Sequence, residues 1–224
     1  MDRRNLLGVG IVAVAGGAGW MFANRGSSPE PSNLLAGMAN AQEATADVSA
    51  IQEMVLGDEN APIEVIEYAS YTCPHCASFH ASQFKKIKEN YIDTGKVRFV
   101  YREVYFDRFG LWASMIARCG GNTDRFFGIS DLIYEKQREW TATGDPSVIV
   151  DELRKIGKTA GLDDAALDAC MQDADMAQSL VTWFQTNADR DGINSTPSFI
   201  IDGEKTSNMS YEDFAALLDA KLAG

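Results

Sequence analysis

The sequence predicts an α/β fold carrying an inserted α-helical bundle. Two observations carry that expectation. Runs rich in β-branched and aromatic residues, Ile63 to Ala69, Val97 to Val104 and Phe199-Ile200-Ile201, read as strands, and a stretch of helical period follows the first of them. Between the second and third runs, from Phe109 to Asp189, four or five amphipathic segments succeed one another.

Taken in order, the chain opens on the basic Asp2-Arg3-Arg4, followed by Leu6 to Ala23, which is apolar, glycine-rich and uncharged. This reads as a secretory signal or a signal anchor. Arg3-Arg4-Asn5-Leu6-Leu7 resembles a twin-arginine export signal. Ala39-Asn40-Ala41 offers small residues for cleavage, and both cleavage and anchoring stay open. Residues 24–50 are polar, with Gly26-Ser27-Ser28-Pro29 and Pro31-Ser32, and read as a linker.

Ile63 to Ala69 is then a buried strand ended by Ser70-Tyr71-Thr72, and Ala77 to Tyr91 is a helix with Phe79, Phe84, Ile87 and Tyr91 near a helical period. Within the middle segments, Trp112, Met115, Ile116 and Cys119 share one face. Phe126, Phe127, Ile129, Leu132, Ile133 and Trp140 mark a second helix. Val148 to Thr159 is a third, Asp163 to Met171 a fourth, and Met176, Leu180, Trp183 and Phe184 define a fifth. Such apolar stripes must face one another, so these helices form a small bundle. The three tryptophans among them, Trp112, Trp140 and Trp183, read as core. Thr196-Pro197-Ser198-Phe199-Ile200-Ile201-Asp202-Gly203 is a proline entering a strand that ends in a turn. Tyr211 to Leu222 closes the chain as a helix capped by Ser210.

The 224 residues are 46% hydrophobic and 23% charged, enough for one globular domain with an insertion. A net charge of −12 sets nucleic acid aside as a partner.

Cys73-Pro74-His75-Cys76 carries the chemistry. The thiolate is the nucleophile of disulfide exchange, and an unperturbed cysteine with a pKa of about 8.5 is only roughly 3% thiolate at pH 7. Placed at the N-cap of the Ala77 helix, Cys73 meets free N–H groups and the positive end of the helix dipole, which favour an anion. Pro74 falls in the first turn, where a missing N–H costs nothing. His75 adds a donor or a positive charge. Cys76, one turn in, is the more buried, resolving thiol. A zinc site needs four ligands, and with four Cys and two His in the chain no metal is expected.

Glu67 lies on the same strand face as Ile63, Val65 and Ala69. It is either an acid reaching water at a strand edge or a buried carboxyl exchanging protons with Cys76. Cys119 and Cys170 lie on apolar helix faces as two buried thiols or as a structural disulfide. An exported chain favours the disulfide, and closing about 50 residues would stabilise by roughly 4 kcal/mol. His80, one turn beyond Cys76, reads as a surface or packing residue.

Together the approach Gly57-Asp58-Glu59-Asn60-Ala61-Pro62, Glu67, Cys73-Pro74-His75-Cys76 and Thr196-Pro197 resemble the thioredoxin superfamily, and within it the DsbA-like thiol:disulfide oxidoreductases, over about residues 55–222. That resemblance implies a thioredoxin-like fold, with a first part at residues 48–106, a helical insertion at 107–191 and a second part at 192–224. Residues 1–41 stand before it as signal or anchor with linker. It implies Cys73 as nucleophile, Cys76 as resolving thiol, Glu67 as buried acid, and Pro197 as a cis-proline whose neighbour Thr196 pairs with an extended substrate through its backbone. It implies an exported dithiol oxidase, periplasmic or extracytoplasmic, without a cofactor. Its substrates are reduced, unfolded secreted proteins, its reoxidising partner is a membrane enzyme of the DsbB type, and it acts as a monomer. Thr196 before the proline resembles the isomerase and reductase branches, which makes a disulfide isomerase or reductase the alternative. A Cu(I)-binding thiol chaperone is a further reading of the CxxC pair.

Overall fold

The structure, a computed structural model, describes residues 46–224. The signal or anchor, its cleavage site and most of the linker lie outside the described residues. Among those described, no helix is long and apolar enough to cross a membrane.

Five strands form one sheet: β1 (Met54–Leu56), β2 (Ile63–Ala69), β3 (Val97–Glu103), β4 (Ser198–Ile201) and β5 (Glu204–Ser207), in spatial order β1-β3-β2-β4-β5. β2 and β3 run parallel, with Glu67 opposite Tyr101, and the other pairings are antiparallel. The sheet's period-2 alternation sorts its residues cleanly. Ile63, Val65, Glu67 and Ala69 of β2, Phe99 and Tyr101 of β3, and Phe199 and Ile201 of β4 are all buried, and Glu67 is the one acid among them. Ile66, Tyr68, Val100 and Ile200 form a smaller cluster with Val104, Phe184 and Ile193.

The three-residue β1 and the polar β5 carry no strand signal in the sequence. β1 is held by its antiparallel register with β3, and β5 by the two-residue turn Asp202-Gly203, where both residues have positive φ (49° and 82°), the conformation that suits a tight hairpin. Gly57 ends β1 at φ 93°, where a Cβ would come within 2.3 Å of the Val97 carbonyl oxygen, so only glycine fits.

The expected single helix from Ala77 to Tyr91 is divided. α1 (Pro74–Ala81) stops at Ser82 and α2 (Gln83–Ile87) follows, running into a wider π turn over Lys88–Ile92. Ser82 Oγ donates to the Ser78 carbonyl at 2.8 Å and Ser78 Oγ to the Pro74 carbonyl at 3.0 Å. Hydroxyls that bind backbone carbonyls four residues back bend a helix in this way. The expected second helix of the insertion is likewise divided at Lys136, into Thr123–Glu135 and Gln137–Trp140.

Between β3 and β4 the chain is helical: α3 (Arg108–Arg118), α4 (Thr123–Glu135), α5 (Gln137–Trp140), α6 (Pro146–Thr159), α7 (Asp164–Met171) and α8 (Ala174–Arg190). Asp107, Asn122, Asp145, Asp163 and Asp173 each cap a helix, accepting from backbone N–H groups of its first turn. Four of the chain's 32 acidic residues therefore serve as caps. Trp112, Trp140 and Trp183 are all buried, as their spacing suggests. One continuous apolar core runs from the sheet through these helices. A buried ion pair, Arg118 Nε to Glu103 Oε1 at 2.6 Å, ties α3 to β3. Cys119 and Cys170 are joined as a disulfide between the ends of α3 and α7. α9 (Tyr211–Ala223), capped by Ser210, packs Phe214 against Phe199 and Phe79.

Candidate active site

The site is built where β2 ends and α1 begins. Strand geometry delivers Ala69 to the edge of the core, and Ser70, Tyr71 and Thr72 carry the chain to the helix. Cys73 is the N-cap, in extended backbone, and Pro74 is the first helical residue. Three contacts hold this short loop. Tyr71 Oη lies 2.6 Å from Ser130 Oγ of α4. Thr72 Oγ1 donates to Asp107 Oδ2 at 2.8 Å. Gln137, buried at the start of α5, donates from Nε2 to the carbonyls of both Tyr71 (2.7 Å) and Cys73 (2.9 Å). The insertion thus grips the backbone of Cys73 itself.

The two cysteines are thiols here, Cys73 half-buried and Cys76 buried. Their surroundings push them apart. The Cys73 thiol is lowered to about 5, first by the hydrogen bond from Cys76 and then by the backbone N–H groups of Cys76 and His75 at the helix start, against the opposing effect of burial. The Thr196 carbonyl oxygen lies 3.4 Å from Cys73 Sγ and accepts from the thiol form, while the Thr196 hydroxyl is buried without a hydrogen-bonding partner among the described residues. The Cys76 thiol is pushed far up, first by burial, then by the bond to Cys73 and the charge of Glu67. One sulfur is set to attack and be attacked, and the other to hold its proton.

Pro74 and the His75 side chain are exposed. What His75 gives the sulfur is its backbone N–H rather than an imidazole contact. The Thr196-Pro197 bond is cis, and this loop faces Cys73 across the helix start. Glu67 is fully buried in the central strand, not at an edge, and its carboxylate meets the Nε2 of His80 at 2.9 Å. That partner is a correction to the reading of His80 as a surface or packing residue. The i, i+4 spacing of Cys76 and His80 was the available signal, since both fall on one face of α1. Nothing in the sequence marked Gln137. Cys119 and Cys170 lie apart from this centre. Among the described residues no group of three or more His, Cys, Asp or Glu gathers as a metal site.

Chemically the arrangement can open and close a disulfide between Cys73 and Cys76. Comparison with known proteins agrees. The model of a thioredoxin family matches residues 49–220. A relative from Rickettsia bellii (strain RML369-C), provisionally named a protein-disulfide oxidoreductase, is 34% identical over 172 residues, covering 76% of this chain and 64% of its own length. The chain therefore spans under two thirds of that relative. Disulfide bond formation protein D of Bacillus subtilis (strain 168) is 25% identical over 182 residues, covering 76% of this chain and 77% of that protein. The crystal structure of Wolbachia pipientis alpha-DsbA1 superposes with a TM-score of 0.72 at 29% identity, covering 77% of this chain and 92% of that one. The chain belongs to this thioredoxin family and, within it, resembles DsbA-like proteins.

Proposed function

We propose that this chain is an exported dithiol oxidase. Its Cys73–Cys76 disulfide passes to reduced, unfolded secreted proteins through a mixed disulfide on Cys73, with no cofactor. A membrane enzyme of the DsbB type then restores the bridge, and the chain works as a monomer in the periplasm or another extracytoplasmic space. The observation that carries this reading is the contrast between the two sulfurs. A Cys73 thiolate lowered to about 5 stabilises the reduced form, and a stabilised reduced form makes its disulfide a strong oxidant. The Cys119–Cys170 bridge supports an oxidising compartment, as does the basic, then apolar start of the chain.

Chemically, a substrate thiolate attacks Cys73 Sγ, the Cys73–Cys76 bond breaks, and its electron pair leaves on Cys76. A second substrate thiolate then attacks the substrate sulfur of the mixed disulfide and releases Cys73 as a thiolate. The substrate is oxidised by two electrons and the chain reduced by two. The Thr196 backbone, beside Cys73 and outside any strand pairing, is placed to hold the substrate extended. Mixing the oxidised chain with a reduced, unfolded secreted protein tests this. Stoichiometric transfer of the bridge, abolished by Cys73→Ser, is the expected result, and no transfer overturns the reading.

Thr196 before the cis-proline favours one alternative, a disulfide isomerase or reductase, because a threonine there resembles those branches of the superfamily. A stable dimer in solution that rescues scrambled disulfides is the outcome that selects it.

A further inference from the structure

The residues from Asp191 to Pro197 join α8 to β4 and bring Thr196 to Cys73. They belong to neither a helix nor a strand. Among the described residues, the N–H groups of Asn194, Ser195 and Thr196 donate to no backbone carbonyl. A free backbone is what an extended polypeptide needs in order to dock by main-chain hydrogen bonds. It also leaves the loop without a ladder of its own to fix its place.

Side chains fix it instead. Arg102 of β3, Tyr68 of β2 and Ser198 of β4 stand opposite one another in register and form one row across the sheet. The row lies on the face away from Glu67, because neighbouring strand residues alternate in direction. All three residues are buried, at 8%, 0% and 1% exposure. Arg102 Nη1 donates to Tyr68 Oη at 2.9 Å and to Asp191 Oδ2 at 3.3 Å. Tyr68 Oη donates in turn to Asp191 Oδ2. Burial and Asp191 push the Tyr68 phenol up to about 12, so it stays a donor. At the far end of the loop, Ser198 Oγ donates to the Ser195 carbonyl at 2.8 Å. Between these ends, Ile193 packs on the apolar cluster of Ile66, Val100 and Ile200, and Lys205 donates to the Gly192 carbonyl.

Glu53 already faces the Arg102 guanidinium, accepting from Nε at 2.9 Å. The row therefore does not need Asp191 in order to bury its cation. We propose that the row Arg102–Tyr68–Ser198 is a positioning device for disulfide exchange: through Asp191 and Ser195 it clamps both ends of the Thr196 loop and fixes the backbone along which a substrate chain docks beside Cys73. These are positioning residues, acting through the loop. The effect falls on thiols that arrive with a polypeptide backbone, because a small thiol needs only an accessible Cys73 Sγ. The inference rests on the reading that substrate is held along the Thr196 backbone.

The test times the opening of the Cys73–Cys76 disulfide in the full oxidised chain by two thiols. One is a reduced, blocked peptide with a single cysteine, the other is 2-mercaptoethanol, and each rate is corrected for its thiolate fraction. Asp191→Ala frees one end of the loop and Ser198→Ala the other. Each is expected to slow the peptide by about three- to tenfold, the scale of one hydrogen bond, and 2-mercaptoethanol by less than about twofold. Ser198→Ala removes a single hydroxyl and keeps the test readable if Asp191→Ala does not fold. Both thiols slowed alike, or neither slowed, overturns the inference. If the peptide gains nothing over 2-mercaptoethanol in the native chain, it is docking along Thr196 that fails, and the inference falls with it.

Discussion

Cys73 and Cys76 share a motif and a helix turn yet end with opposite acidities, because one caps the helix at the surface and the other faces the buried Glu67. Thiolate absorbance of the reduced chain should therefore rise with a midpoint of about 5, set by Cys73. The sign for stability follows. The folded value lies below the ordinary thiol range, so Cys73 stabilises the reduced fold above that range and loses the contribution as pH falls toward 5. A midpoint near the ordinary value of about 8.5 contradicts this. Gln137 makes a second residue-scale prediction. Gln137→Ala strips donors from two carbonyls at the nucleophile, and should cost about 1–3 kcal/mol in denaturant unfolding while slowing mixed-disulfide formation. Unchanged stability and rate would remove its positioning role. Cys73, Cys76, Glu67 and Pro197 were visible in the sequence because their types are unusual where they stand. His80 and Gln137 were not, because a polar residue on a helix reads as solvated until its partner, on another element, is known.

At the scale of elements, the long apolar runs β2 and β3 and the amphipathic helices were legible because burial imposes a period on them. The limits of that signal are equally physical. β1 and β5 exist through pairing and a tight turn rather than composition. The break at Ser82 comes from hydroxyl bonds that compete with the helix ladder. Arg118 shows how elements are joined. It is buried against Glu103 and also donates from Nη1 to the Gln52 carbonyl at 3.0 Å. Arg118→Met leaves Glu103 buried without its cation, and should destabilise by about 3–5 kcal/mol in equilibrium unfolding. A loss under about 1 kcal/mol, the scale of an exposed pair, would show the pair to be solvated.

At the scale of the molecule, the helices between β3 and β4 do more than decorate the sheet. They share its core, bring Gln137 and Tyr134 to the active-site loop and the buried Glu67–His80 pair, and are stapled by Cys119–Cys170. The α/β class and the insertion could be read from the order of periodic segments, whereas the grip of the insertion on Cys73 could not, since it depends on how two distant segments pack. All of this converges on one quantity, the preference of Cys73–Cys76 for the dithiol. The redox equilibrium of the full chain against glutathione measures it. Glutathione is expected to reduce the bridge readily, giving a potential well above that of the glutathione pool. A potential as reducing as thioredoxin's, about −270 mV, would contradict it.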